Sequence, residues 1–257
     1  MGILEGRQVL VTGVTTPESI AFTVARIAQQ EGARIVVANL PRAANLTRRV
    51  VARLDPVPDV LELDVTDAAQ LADLPNRLRM HGVDQLDGVV HAIAFANPAR
   101  ALGGAFLSTQ WDDVAVSLHT SAYSLQSLTM ACRALLGPGS SIVGLTYDAS
   151  VSWPSYDWMG VAKAALESTS RYLARYLGPD GIRCNLVAAG PLDTMSKRAI
   201  PGSGQADQAW RERAPLGWDT TDAEPVGRAV VALLSDWFRA TTGEIIHVDG
   251  GVASTGA

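Results

Sequence analysis

Gln8-Val9-Leu10-Val11-Thr12-Gly13-Val14-Thr15-Thr16-Pro17-Glu18-Ser19-Ile20-Ala21 is the stretch from which the fold is read. An apolar, β-branched run stops at a glycine, a polar turn follows, and Ser19 stands where a helix begins. Gly13 permits a tight turn at the end of the strand. Ser19 offers a hydroxyl and an amide at a helix N-terminus, where a pyrophosphate is favoured. Ala21 is small enough for the helix to pack closely on the strand. The stretch resembles a dinucleotide fingerprint whose later glycines are replaced by Ser19 and Ala21. One glycine before a capped helix also describes an ordinary strand-to-helix turn, so whether it holds a cofactor rests on the rest of the chain.

Outward from this point the alternation repeats. Apolar runs at 34–38, 60–63, 86–93, 141–145, 183–187 and 244–248 read as strands after the first at 8–12. Helical periodicity fills 19–30, 43–54, 68–80, 111–136, 157–177 and 225–237. Near-continuous apolar strands separated by helices mean a parallel sheet buried on both faces. Right-handed crossovers then give an α/β, Rossmann-type doubly wound sheet of about seven strands, with helices on both faces. No linker or repeat divides residues 1–257, which are read as a single domain. The one long irregular stretch, 190–218, is expected to carry a mobile lid over the site at about 194–215.

Composition narrows the function. The chain has 257 residues, of which 47% are hydrophobic, enough for a large buried core. Its net charge is −5 with both signs interspersed. No run of Lys or Arg marks a nucleic-acid face or a basic membrane-surface helix. The start lacks the features of a secretory signal, and no apolar run approaches the roughly 18 residues of a membrane span. Cys132 and Cys184 fall in a predicted helix and a predicted strand, as buried thiols of a reducing compartment do. His81, His91, His119 and His247 are scattered without ligand spacing, so no metal site is expected. The expectation is a cytoplasmic protein with neither membrane nor nucleic-acid partners.

Cofactor contacts are sought at the carboxyl ends of the strands. Asp64-Val65 follows the third strand, where a carboxylate could accept from an adenine amino group or, alternatively, cap the next helix. The second strand ends in Asn39-Leu40-Pro41-Arg42 rather than the Asp or Glu that would mark NAD. Arg42 could meet a 2′-phosphate or lie in solvent, which leaves NADH against NADPH open on these residues.

The sharpest stretch is Pro154-Ser155-Tyr156-Asp157-Trp158-Met159-Gly160-Val161-Ala162-Lys163-Ala164-Ala165-Leu166-Glu167-Ser168. Tyr156 and Lys163 stand two turns apart on one face at the start of a helix. An ammonium beside a phenol is expected to lower the phenol's pKa and to strengthen it as a donor to a developing oxyanion. The lysine can also hold a ribose by its hydroxyls.

Three segments together resemble the enoyl-acyl-carrier-protein reductases, the divergent branch of the short-chain dehydrogenase/reductase family. They are Tyr156-x6-Lys163, the turn Gly13-x5-Ser19-Ile20-Ala21, and Leu186-Val187-Ala188-Ala189-Gly190-Pro191-Leu192-x-Thr194. The likeness is closest to the actinobacterial type and runs from Leu10 to Gly251. Ketone- and alcohol-acting relatives normally show Tyr-x3-Lys, and here the residue four past Tyr156 is Gly160.

The resemblance implies hydride transfer from NADH to the β-carbon of a trans-2-enoyl thioester, with acyl carrier protein as the expected carrier. Tyr156 would stabilise the enolate, Lys163 would bind the nicotinamide ribose, and Tyr147 matches the aromatic residue that flanks the substrate. Gly13, Ser19, Ile20, Asp64, Val65, Ile93, Ala94, Lys163, Ala189, Leu192 and Thr194 match cofactor contacts. Phe95, Met159, Met195 and Ile200 would join Tyr147 and Tyr156 in an apolar slot for the acyl chain. The family pattern also implies a homotetramer, with the helix of His119 at a subunit interface.

Three positions depart from that pattern. Ala92 and Ala94 replace the usual Ser and Gly, Leu40 replaces an adenine-stacking aromatic, and the lid is shorter than in the actinobacterial relatives. A shorter lid implies no strong demand for very long acyl chains. Two other readings keep the fold: a carbonyl reductase, disfavoured by the Tyr-x6-Lys spacing, and a non-catalytic nucleotide-binding subunit, disfavoured because both Tyr156 and Lys163 are present.

Overall fold

The computed structural model describes residues 2–255. Its centre is one seven-stranded parallel sheet: β1 (Gln8–Thr12), β2 (Arg34–Asn39), β3 (Asp59–Glu62), β4 (Leu86–His91), β5 (Leu136–Thr146), β6 (Arg183–Ala189) and β7 (Ile245–Val248). The order across the sheet is β3-β2-β1-β4-β5-β6-β7, so the direction of winding reverses between β1 and β4. A crevice for ligands opens at such a switch point. The expected Rossmann-type topology is the one observed.

Successive strand residues point to opposite faces, and both faces are covered. Val9, Val11, Val37, Val90, Val143 and Val187 pack under α1 (Ile20–Gln30), α2 (Ala44–Val51) and, farther along the chain, α9 (Glu224–Leu234). Leu10, Val36, Val89, Ile142 and Leu186 pack against α3 (Ala68–Met80), α5 (Ser124–Cys132), which follows α4 (Trp111–Leu118), and α6 (Asp157–Leu177). Each such side chain, fully buried, stabilises by about 1.5–3 kcal/mol relative to exposure. Helix starts follow the sequence: the Ser19 hydroxyl accepts from the Phe22 amide at 3.3 Å, and Asp67 accepts from the amides of Ala69 and Gln70 at 2.9 and 3.1 Å.

Four expectations need correction. The helix read over 111–136 is interrupted by a π turn, His119–Tyr123, and its last part is a 3-10 turn, Arg133–Leu135, after which β5 starts. In that π turn the Ser121 hydroxyl bonds the backbone of Phe95, and Ser124 donates to the Thr120 carbonyl at 2.6 Å. β5 begins at Leu136, ahead of 141, through a register shift against β4 that absorbs Gly137-Pro138-Gly139. β4 ends at His91, so Ile93 lies beyond the strand. The stretch 190–218 is not irregular throughout, because it folds into α7 (Met195–Arg198) and α8 (Gly204–Arg213). An ion pair between Lys197 and Asp207 ties these two helices together. Among the described residues no helix is long and apolar enough to cross a membrane.

Candidate functional site

At the carboxyl edge of the sheet a cavity of about 550 Å³ lies beneath α7 and α8. It brings together Ile20 at the start of α1, Ala94 and Phe95 after β4, Tyr147 after β5, and Tyr156, Met159 and Lys163 at and within α6. Ala189, Leu192, Thr194, Met195 and Ile200 complete the wall from β6 and the segment that follows it. Of the residues expected from the sequence, Gly13, Ser19, Asp64, Val65 and Ile93 do not line it. They follow β1, β3 and β4 at the same edge of the sheet.

Tyr156 precedes the first residue of α6, and the backbone on either side is strained. Ser155 and Asp157 have φ of 63° and 43°, a region L side chains rarely adopt. The Asp157 carboxylate accepts from the amides of Gly104 and Ala105 at 2.6 and 3.0 Å, which fixes the start of the helix against the loop after β4. Lys163, buried at 6% exposure, donates from Nζ to the Leu145 carbonyl at 2.9 Å. Burial lowers its pKa to about 8, while Glu167 opposes the shift. The expected lowering of Tyr156 is not found: burial pushes its hydroxyl upward, so Tyr156 is a neutral donor rather than a phenolate.

His91 ends β4 opposite Gly144, the residue before Leu145. Its Nε2 lies 2.7 Å from the Ser124 hydroxyl. That hydroxyl already donates to Thr120, so the network assigns the ring proton to Nε2. Burial and the nearby Lys163 lower His91 to about 3, so the ring is neutral.

Two indoles that the sequence reading missed shape the cavity. Tyr147 packs on Tyr156, Trp153 and Trp210 with ring centroids 5.1, 5.2 and 5.7 Å apart, and Trp153 and Trp210 are 4.9 Å apart. Trp210 comes from α8 and is 3% exposed. The signal was present, since Trp153 stands three residues before Tyr156, but nothing in a lid read as irregular marked Trp210 as inward-facing. Met159 packs in a small core with Ala96, Ala101, Leu102 and Ala162 while lining the cavity. Met195 is 48% exposed at the rim.

The turn after β1 fits a dinucleotide. Gly13 has φ of 82°, and a Cβ there would sit 2.1 Å from the Ala92 carbonyl oxygen. Only glycine allows β1 and β4 to approach this closely. Asn39 is occupied in holding the turn: its amide donates to the Val14 carbonyl at 2.8 Å and to Thr47 at 3.0 Å. Arg42 is exposed. Asp64 does not cap α3, a role filled by Asp67; its Oδ1 accepts instead from the amide and hydroxyl of Thr66 at 2.9 and 2.6 Å. Thr194 caps α7 through the Lys197 amide at 3.3 Å. A larger hollow of about 830 Å³ lies beyond Glu167, but Asp148, Asp219, Asp222 and Asp249 line it, a poor surface for a pyrophosphate.

A family model described as enoyl-(acyl carrier protein) reductase matches residues 13–253. The chain belongs to the enoyl-acyl-carrier-protein reductase family. Within it, the enoyl-acyl-carrier-protein reductase (NADH) of Mycolicibacterium smegmatis is 42% identical over 266 residues, covering 98% of each chain. The corresponding protein of Mycobacterium avium is 43% identical over 265 residues, again 98% of each. That of Bacillus subtilis is 37% identical over 253 residues and 96% of each chain. Residues 194–215, the Tyr156–Lys163 pair and the glycine turn of this reductase-family chain all lie inside the matched range.

Proposed function

We propose that this protein reduces the carbon–carbon double bond of trans-2-enoyl thioesters, carried on acyl carrier protein, at the expense of NADH in fatty-acid synthesis. The observation that carries the reading is a neutral Tyr156 and a buried, charged Lys163 meeting in one apolar cavity at the sheet's switch point. A reduced nicotinamide, when bound, supplies the hydride that the β-carbon receives. Gly13, Ser19 and Ile20 would cradle its pyrophosphate at the N-terminus of α1. Asp64, Val65, Ile93 and Ala94 would serve its adenosine half, and Ala189, Leu192 and Thr194 its nicotinamide half. Lys163 would hold the ribose. Tyr156 donates to the thioester oxygen as negative charge builds there, and burial keeps that proton on the phenol until it is needed. Tyr147 flanks the reacting atoms, and Phe95, Met159, Met195 and Ile200 take the acyl chain away from water. Residues 194–215 act as the lid of a single-domain enzyme.

The test is loss of nicotinamide absorbance with a medium-chain trans-2-enoyl thioester, using NADH and NADPH, for wild type and Tyr156→Phe. NADH oxidation falling about 10²–10³-fold in the variant, with NADH binding retained, supports the roles given. No turnover with either cofactor, despite binding, would refute the enoyl reading and direct the search to carbonyl substrates. We also assign the protein to the cytoplasm as a homotetramer. Trp111, Tyr123, Tyr172 and Tyr176 are exposed along α4, the π turn and α6, a face suited to a second copy. Light scattering that returns a monomer would reject that assignment.

A further inference from the structure

Helix α6 carries Lys163, Glu167 and Arg171 at successive one-turn steps. Glu167 is 8% exposed, an unusual place for a carboxylate. Its Oε1 accepts from the Thr146 hydroxyl and from the Ala149 amide, each at 3.2 Å. Both donors flank Tyr147 in the segment leaving β5. Lys163 grips the same segment one residue earlier, through the Leu145 carbonyl at 2.9 Å. The two α6 side chains therefore hold the Tyr147 segment from either side, a turn apart on one helix face.

We propose that Glu167 is a positioning residue for the reduction, whose carboxylate is the counter-charge of the buried Lys163 ammonium. The inference rests on Lys163 being the ribose-binding lysine of the reading above. A neutral amide in place of Glu167 could accept the same two hydrogen bonds without the desolvation cost of a carboxylate. The charge therefore has a use that the tether alone does not supply: of the two cations one turn away on α6, Arg171 is exposed and Lys163 is buried, so Lys163 is the one in need of a counter-charge. Burial pulls the Lys163 pKa down and Glu167 opposes it. The other groups facing Lys163 are neutral: His91 from β4, and Tyr156 at the head of α6. Glu167 itself is pushed upward by burial and by Asp148, and held down by its two hydrogen bonds and Arg171. Glu167 also borders the larger hollow beside β7.

The test compares wild type, Glu167→Gln, Glu167→Asp and Lys163→Met. The readouts are kcat/KM against pH and, independently of turnover, the NADH dissociation constant against pH by protein fluorescence. The expected result is that Glu167→Gln moves the alkaline limb of both profiles down by about one pH unit. Glu167→Asp, which keeps the charge, restores the limb. The reverse pattern, a wild-type limb in Glu167→Gln and a displaced one in Glu167→Asp, would make Glu167 a tether only and overturn the proposal. Should Glu167→Gln fail to fold, Glu167→Asp decides alone: an unmoved limb supports the proposal and a displaced limb overturns it. An alkaline limb that survives Lys163→Met refutes the role of Lys163 and the inference with it. A limb lost in Lys163→Met but unmoved in Glu167→Gln refutes the role of Glu167 alone.

Discussion

Gly190→Ala adds one methyl where the lid meets the sheet. A Cβ at Gly190 would lie 2.7 Å from the Trp210 indole nitrogen and 2.7 and 2.9 Å from ring carbons of Trp218. The neighbours differ in how far they can yield. The Gly190 amide is pinned to the Val248 carbonyl at 2.9 Å, and Trp218 is tethered through its indole nitrogen to the Pro191 carbonyl at 2.8 Å. Trp210 rides on α8 and is the one free to retreat. Overpacking of this kind costs about 1–3 kcal/mol. If the closed lid carries that cost, KM for a medium-chain enoyl thioester rises about 5- to 150-fold. Initial rates, tryptophan emission and thermal unfolding read the outcome together. Trp210, 3% exposed in the structure, should shift its emission to the red as it becomes wetter. A KM within twofold of wild type, with unfolding several degrees lower, would mean that the core absorbs the methyl. Residues 194–215 would then be a fixed wall and not a lid.

Other expectations follow from the same geometry. Burial lowers Lys163 from its ordinary 10.5 to about 8, so between those values the unfolded chain holds a proton that the folded chain has released. Stability therefore climbs with pH across that window. Lys163→Met is expected to stabilise the fold by about 1–3 kcal/mol at pH 7, with a smaller gain at pH 9.5, while NADH binding weakens; urea midpoints at the two pH values check this. Asp157→Ala replaces two hydrogen bonds to a carboxylate with bonds from the Gly104 and Ala105 amides to water and should cost about 1–2 kcal/mol, measured as a lower urea midpoint. A lid of this length predicts rates that level off within ordinary fatty-acid chain lengths, and a steady climb well beyond them would refute it.

The sheet was legible because its information is local and periodic. Helices α3 and α6 start and stop where the apolar spacing puts them, at Ala68–Met80 and Asp157–Leu177. The lid was not legible. α8 is polar or charged at most positions, and its structural information is concentrated in Trp210, whose partners Tyr147 and Trp153 lie more than fifty residues away in sequence. The π turn was hidden for a related reason. It depends on Ser121 and Ser124 bonding to backbone, and serines in a helix give no periodic signal. Tyr156 and Lys163 could be found from their spacing. What the spacing did not give was the sign of the tyrosine's shift, which burial at this position sets upward.

The placement of Tyr156 is itself a non-local result. Positive φ at both Ser155 and Asp157 costs of order 1–3 kcal/mol each, and such strain persists only where surrounding contacts over-determine it. Three contacts do so here. The Ser155 carbonyl accepts from the Gly103 amide at 2.9 Å, and the Asp157 carboxylate binds the next two amides of that loop. Gly103 in turn approaches the lid so closely that a Cβ there would lie 2.8 Å from Pro201, and one on Gly202 would lie 3.3 Å from the Ser155 hydroxyl. The loop after β4, the lid turn and the residues flanking Tyr156 thus meet at one point. If residues 194–215 move as a lid, Pro201 and Gly202 leave Gly103 and Ser155, and the loop that holds the strained turn loses its packing there, which would couple the position of the tyrosine to the closure of the cavity. A substitution at Gly103 should therefore change kcat as well as KM, although no atom of Gly103 lines the cavity that holds Tyr156.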